Sequence, residues 1–98
     1  MPELIFHPDI QYEIRDSYQW YESRAQGLGE DFLTELESAF QVIKEIPDTW
    51  PLIAKNFRRY LLDRFPFGVI YQKKQDQIYV VAVMHLSRRP GYWIDRID

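Results

Sequence analysis

The stretch Ile78-Tyr79-Val80-Val81-Ala82-Val83-Met84 decides the fold, because it is apolar at odd and even positions alike. A strand with one solvated face alternates between polar and apolar residues, whereas a strand covered on both faces does not. The stretch therefore predicts an interior strand of a sheet. Two more runs rich in aromatic and β-branched residues, at 57–62 and 67–72, precede it across hairpin-sized spacers. Together the three runs predict an antiparallel meander.

Upstream of the meander, apolar residues recur at spacings of three and four, which predicts two helices. The apolar face of the first helix comprises Ile10, Ile14, Tyr18, Tyr21 and Ala25, and that of the second, over residues 28–46, comprises Phe32, Leu36, Ala39, Phe40 and Ile43. Gly27 and Gly29 make the connection short and Pro47 ends the second helix, so the two should pack as an antiparallel hairpin.

Residues 3–7 add a first strand before the helices. The sequence thus predicts one α+β domain over residues 1–98, with elements in the order β-α-α-β-β-β. The N-terminal helical hairpin is expected to pack on one face of an antiparallel-rich sheet.

The composition suits a folded chain, since 46% of its 98 residues are apolar and 28% are charged. Because cysteine is absent, disulfides, thiol nucleophiles and cysteine-ligated metal clusters are excluded. No apolar run approaches the roughly 18–20 residues of a membrane span. No basic segment followed by an apolar run marks a signal peptide. We expect a cytoplasmic protein that uses no membrane, metal or other cofactor.

The two halves of the chain carry opposite charge. Residues 1–49 hold three basic and eleven acidic residues, a net charge of −8, whereas residues 50–98 hold nine basic and four acidic residues, a net charge of +5. Such a division describes either two solvated surfaces or a basic face that meets an acidic partner or a phosphate backbone. The overall pI near 5.3 argues against broad nonspecific binding of nucleic acid.

The sequence contains no glycine-rich phosphate loop, no His-Glu-x-x-His and no Gly-x-Ser-x-Gly. What remains is a basic and aromatic set in the C-terminal half. Its arginines could stabilise the charge that develops when an RNA 2′-hydroxyl attacks the neighbouring phosphate. The catalytic candidates for such a reaction are Arg59, His85, Arg88, Arg89 and Tyr92.

Each of these residues also has a plainer interpretation. His85 follows the interior strand, and is either a hydrogen-bonded residue that ends it or a group that titrates near neutrality. Arg58 and Arg59 should point to opposite faces of one strand, so at most one belongs to any single site. Tyr92 and Trp93 either stack on a base or pack the tail against the sheet.

Five local phrases carry a more specific signal. They are Trp20-Tyr21-Glu22, Gly27-Leu28-Gly29 followed by Phe32, Arg59-Tyr60-Leu61-Leu62, Phe65-Pro66-Phe67-Gly68-Val69-Ile70-Tyr71, and Ala82-Val83-Met84-His85 followed by Arg88-Arg89. In this order, along nearly the whole chain, they resemble the RelE/ParE family of bacterial type II toxin–antitoxin toxins. The resemblance implies a plasmid-stabilisation toxin, a growth inhibitor with a cognate antitoxin encoded alongside it.

The resemblance implies one of two targets. ParE-like members poison DNA gyrase without being nucleases, whereas RelE-like members cut mRNA in the ribosomal A site. In the nucleases an arginine precedes the end of the third strand, and that position falls here on Gly68; Arg59 fits one basic position of the second strand, but the other falls on Leu61. These departures favour the ParE-like function. Whether the chain is an enzyme stays open; if it is one, it is an endoribonuclease.

Other matches to the nuclease pattern are looser. Arg88 or Arg89 could supply the late arginine, and Tyr92 or Trp93 the aromatic residue that follows it. Some nucleases of the family use a histidine and a glutamate instead, for which His85 and Glu45 are the nearest candidates in this sequence.

The resemblance further implies that the antitoxin lays its C-terminal segment across the hairpin and the sheet. Arginines and aromatics dominate interface energies, so the residues expected to bind the target or the antitoxin are Arg58, Arg59, Arg64, Arg88, Arg89 and Trp93. The rings of Tyr18, Trp20 and Tyr21 form a second candidate surface or part of the core. A homodimer, a toxin–antitoxin hetero-oligomer and a degenerate non-toxic binding module of the same fold all stay open.

Overall fold

The structure, a computed structural model, describes residues 2–96. Within them the elements are β1 (Glu3–Phe6), α1 (Ile10–Arg24), α2 (Leu28–Glu45), β2 (Leu52–Ala54), β3 (Phe57–Leu61), β4 (Phe67–Lys74) and β5 (Gln77–His85). The strands form one sheet in the order β1-β5-β4-β3-β2, in which β1 is parallel to β5 and the other neighbours are antiparallel. The predicted α+β fold is confirmed. The predicted domain span includes residues 1, 97 and 98, which lie outside the described residues.

The predicted order lacked one strand. β2 pairs antiparallel with β3, with a register shift between Leu52 and Ala54; the sequence analysis assigned no element to residues 52–54. Leu52 and Ile53 are both exposed, and Ala54 is partly buried. An edge strand of three residues is too short to show the alternation that marks a half-buried strand.

β5 is the interior strand that its composition predicts. It lies between β1 and β4, and residues 80–83 are at most 2% exposed. Its pairing with β4 slips by one residue, since Val81 lies unmatched between the paired residues Val80 and Ala82. This bulge places Val81 and Ala82 together on the face of the sheet away from the helices, while Val80 and Val83 pack beneath the helices.

The predicted apolar faces of the helices are confirmed at most positions. The buried residues are Ile10 and Tyr21 in α1, and Gly29, Phe32, Leu36, Ala39 and Ile43 in α2. Ala25 lies just beyond the end of α1 and is exposed. Among residues 2–96, neither helix has the length and apolar character needed to cross a membrane.

Aromatic rings form the centre of the core beneath the helices. Tyr21 of α1 and Phe32 of α2 meet Phe65 and Phe67 at centroid separations of 4.8–6.1 Å, in edge-on or tilted geometry. Such pairs add roughly 0.5–1.5 kcal/mol each beyond the area they bury. Tyr21 therefore belongs to the core, whereas its neighbour Trp20 is 53% exposed.

A carboxylate holds the turn between the helices. Glu22 of α1 accepts hydrogen bonds from the N–H groups of Gly27 and Gly29, both at 2.9 Å. These N–H groups begin α2 and have no partner within the helix, and a negative charge there is favourable. Gly29 lies so close to α1 that a Cβ would come within 2.8 Å of the Tyr18 carbonyl oxygen. A glutamate in one helix and a glycine in the other thus fix the hairpin together.

We predict that Glu22→Ala lowers the free energy of unfolding by about 1–3 kcal/mol, since it leaves two partly buried N–H groups without an acceptor. Urea unfolding followed by circular dichroism measures this change. Glu37→Ala is the matched control, because Glu37 is an exposed residue of α2 and its removal should change stability by less than about 0.5 kcal/mol. Equal effects of the two substitutions would show that the hairpin does not depend on Glu22.

Candidate functional site

Side chains rather than a strand close the outer edge of β5. β1 ends at Phe6, opposite Val80, so within residues 2–96 no strand pairs with the second half of β5 on that side. There the Val83 N–H donates to Glu13 Oε1 at 2.9 Å, and the Val81 carbonyl accepts from Arg96 Nη1 at 2.8 Å. Buried backbone groups require such partners, and covering the edge prevents another strand from pairing with it.

Glu13, Tyr92 and Arg96, here called the tail clasp, join α1 to the C-terminal tail at this edge. Arg96 Nη1 lies 3.1 Å from Glu13 Oε2, and the Tyr92 hydroxyl donates to the same oxygen at 2.6 Å. The side chains of Glu13 and Arg96 are only 10% and 16% exposed. Removing one member of a pair buried to this extent costs about 3–5 kcal/mol. The tail clasp is therefore a structural element.

The surroundings of Tyr92 do not suit a general base. Burial, followed by the hydrogen bond and charge of Glu13, holds the pKa of the Tyr92 phenol above its ordinary value. The Arg88 guanidinium covers the ring at 3.9 Å from its centroid, in cation–π geometry. A phenol that stays protonated at neutral pH and already donates to a carboxylate cannot remove a proton from a substrate.

His85 ends β5 at a groove between α1 and the sheet. Asp16 and Trp20 line the same groove. The imidazole packs edge-on against Phe67, with centroids 5.2 Å apart, and its Nδ1 lies 3.0 Å from the backbone nitrogen of Ser87. Because that N–H can only donate, Nδ1 is the acceptor. The contacts match the first of the two interpretations of His85, a hydrogen-bonded residue that ends its strand.

Most of the predicted arginines are dispersed. Arg58 donates from Nη1 to the Trp50 carbonyl at 2.6 Å. Arg64 is exposed, and its Nη2 lies 3.5 Å from an aspartate of α2. Arg88 and Arg89 are exposed in the loop that follows β5. No common centre is formed by these four side chains.

Arg59 lies on the face of the sheet away from the helices. It borders an open groove of about 220 Å³, here called the sheet groove, whose apolar lining includes Ile53, Leu61, Ile70, Met84, Leu86 and Trp93. Of the described residues that line this groove, Arg59 is the only charged one. Trp93 is 3% exposed and packs on Phe57 with centroids 4.8 Å apart, so it is part of the wall of the groove rather than an exposed ring.

The fold separates the residues that the sequence proposed for RNA cleavage. Arg59 pairs with Ile70 across β3 and β4 and faces away from the helices, whereas His85 packs on the helix side against Phe67. Arg88 borders a groove with His85 next to α1. Arg59 and His85 therefore cannot contact the same phosphate. Glu45, the other candidate partner of His85, is at the end of α2, where it accepts a hydrogen bond from Gln41.

The sequence analysis missed Glu13 and Arg96, two of the three residues of the tail clasp. Glu13 is not among the residues of the predicted apolar face of α1, and Arg96 is not part of the five motifs that resemble the RelE/ParE family. Their partners are 70 and 15 residues away along the chain, so no local spacing indicates the contact. The one available signal was the bulky pair Tyr92-Trp93, which predicted that the tail packs against the sheet.

Comparisons with known proteins bear on the family and the fold of the chain. Residues 4–90 match the family model described as the ParE toxin of the type II toxin–antitoxin system parDE. Among solved structures, a chain described as "Chromosomal ParDE TA system from P. aeruginosa" has a TM-score of 0.64 and 16% identity, over 87% of this chain and 96% of that one. At such low identity the likeness concerns the fold. None of the curated proteins matches the chain.

We predict that Tyr92 makes the protein less stable at alkaline pH. Its pKa is higher in the folded chain than in the unfolded one, so its contribution is fully present below about pH 10 and is lost as the pH rises further. Between pH 9 and pH 11 the free energy of unfolding should fall by up to about 1.4 kcal/mol more in the wild type than in Tyr92→Phe. Urea unfolding at the two pH values measures this difference.

Tyr12→Phe serves as the control, because the Tyr12 ring is 49% exposed. This variant should lose as much free energy of unfolding between pH 9 and pH 11 as the wild type does. If Tyr92→Phe and the wild type lost the same stability, the phenol would not be held protonated by the fold.

Proposed function

Because the chain belongs to the ParE toxin family of type II toxin–antitoxin systems, we propose that it inhibits growth by acting on DNA gyrase and is not a nuclease. We also propose that a cognate antitoxin neutralises it by direct binding. Both parts extend what family membership alone implies, which is a toxin with an antitoxin partner.

The separation of Arg59 from His85 carries the proposal. A ribonuclease of the RelE type needs cations and a proton-transfer group around one phosphate. Here the arginine of β3 and the histidine of β5 face opposite sides of the sheet. The third-strand position at which the nucleases hold an arginine is Gly68, which has no side chain to offer. This arrangement supports a toxin that acts by binding.

The state of Tyr92 supports the same conclusion. In a nuclease the late aromatic residue must either reach the substrate or transfer a proton. Tyr92 instead donates to Glu13 within the tail clasp, and its pKa is raised. If the hydroxyl left this contact, the Glu13 carboxylate, which is only 10% exposed, would lose one of its hydrogen-bond donors at a cost in stability.

The proposal predicts growth arrest with intact mRNA. On induction in growing bacteria the wild type should stop growth and induce a DNA-damage reporter, and the purified chain should inhibit supercoiling by purified gyrase. His85→Ala should retain both effects within about twofold, since the proposal gives the imidazole no part in a reaction. Mapping of mRNA ends in the same cultures should show no new cuts in the A site.

The outcomes separate the three candidate functions. Cuts in the A site that disappear in Arg59→Ala or Arg88→Ala would establish the nuclease and overturn the proposal. Absence of any arrest, with the folded protein present in the cells, would favour the non-toxic binding module. Purified gyrase that is inhibited only in the absence of the antitoxin would support both parts of the proposal.

A further inference from the structure

We propose that the sheet groove is the docking site for an amphipathic segment of the antitoxin, in which one carboxylate among apolar side chains pairs with Arg59. The inference rests on the proposed function, because it requires an antitoxin that binds directly. Of the six residues that the sequence predicted to bind the target or the antitoxin, the proposal assigns the central contact to Arg59, together with the apolar groove around it.

Arg59 is the first reason for this assignment. Four other arginines of the described residues have acceptors for their side chains: Arg15 on Asp16, Arg58 on a backbone carbonyl, Arg64 near a carboxylate, and Arg96 on Glu13. The backbone N–H of Arg59 donates to the Pro51 carbonyl, but within residues 2–96 its guanidinium has no hydrogen-bond or ion-pair partner, although the residue is partly buried. A guanidinium that has lost part of its hydration without gaining an acceptor is stabilised when a partner brings a carboxylate, which it can bind with two parallel hydrogen bonds.

Gly68 is the second reason, because it positions Arg59. A Cβ at Gly68 would lie 3.1 Å from both Cγ and Cδ of Arg59, so the arginine stem lies directly across β4 at this glycine. A Cβ at this position would require the Arg59 stem to shift by a few tenths of an ångström. The glycine that stands where the nucleases hold an arginine therefore has a positive role, since it lets the neighbouring strand's arginine lie flat beside the groove.

The apolar lining identifies the class of partner. Leu61 and Leu86 at the groove are 47% and 45% exposed, and Ile53 is 36% exposed. A cluster of large exposed hydrophobic residues around one charge is typical of the centre of a protein interface. Nucleic acid would require several cations along its backbone, and Arg59 is the single charge among the described residues of the groove. The lining thus favours a protein segment over RNA.

The positive net charge of the C-terminal half favours an acidic segment in particular. Residues 50–98 carry a net charge of +5, and Arg88 and Arg89 are exposed in the loop that leads to Pro90 and Gly91 at the groove. Charges at the rim speed the encounter and orient the partner, while the buried pair determines how slowly it leaves. An antitoxin segment with one carboxylate for Arg59 and others near the rim fits this distribution.

The test measures the affinity of the purified cognate antitoxin by titration calorimetry. Arg59→Gln should weaken binding at least about tenfold, because the partner's carboxylate loses its cation on burial. Arg59→Lys should recover part of the loss. Arg15→Gln is the matched control, since it removes an exposed arginine that does not line the groove, and it should bind like the wild type.

A double-mutant cycle tests the role of Gly68. Gly68→Ala should weaken binding in the wild-type background, because it displaces the Arg59 stem. In the Arg59→Gln background it should change the affinity by less than about twofold, since the side chain on which it acts is gone. Circular dichroism and urea unfolding confirm that each variant is folded. Equal effects of Gly68→Ala in both backgrounds would contradict the positioning role.

Other outcomes would overturn the docking site and can be told apart from failure of the proposed function. Wild-type affinity in Arg59→Gln and Gly68→Ala would place the antitoxin elsewhere, while inhibition of gyrase would stand. Unchanged antitoxin affinity with loss of gyrase inhibition would assign the groove to the target. Binding of a labelled RNA oligonucleotide that requires Arg59 would make it a nucleic-acid surface, and self-association that requires Arg59 would make it a contact between two copies.

Discussion

Hydrogen bonds from backbone N–H groups to helix carboxylates hold this fold together. Glu22 binds the N–H groups at the start of α2, and Glu13 binds the edge of β5. Glu35 of α2 accepts from the backbone of Asp63 and Arg64 in the turn between β3 and β4. Hydrogen bonds to a charged group are stronger than those between neutral groups. The acidic N-terminal half is therefore partly internal structure, and the interpretation of its charge as a solvated surface is incomplete.

Contacts within the fold also determine which arginines are available to bind a partner. Arg96 is drawn into the tail clasp by Glu13, and Arg58 is bonded to the loop before β2. Neither can contact a partner without breaking a contact of the fold. The net charge of +5 in the C-terminal half thus overstates the charge that a partner meets. What a partner meets on the helix-free face is Arg59 in an apolar groove, a pattern that suits recognition of a protein segment better than contact with a phosphate chain.

Periodic features of the structure were predictable from sequence, and contacts that depend on the folded chain were not. The interior strand β5, the helix faces and the short hairpin follow from spacings of two, three and four residues. The strand β2 has only three residues, two of them exposed, and no such spacing. The tail clasp joins residues 79 and 83 positions apart, and the burial of Trp93 depends on how the tail crosses the sheet. The opposite orientation of Arg58 and Arg59 was foreseen, because alternation along a strand is local.

Gly68 has a structural role although it lacks a functional side chain. In the sequence it stands where the nucleases of the RelE type hold an arginine. In the folded sheet the stem of Arg59, on the neighbouring strand, packs against it. The Arg59 stem has room against β4 because position 68 carries no side chain, and the groove beside it has an apolar lining with Arg59 as the one charge among its described residues. Under the proposed function, this arrangement favours recognition of a protein segment over contact with a phosphate chain.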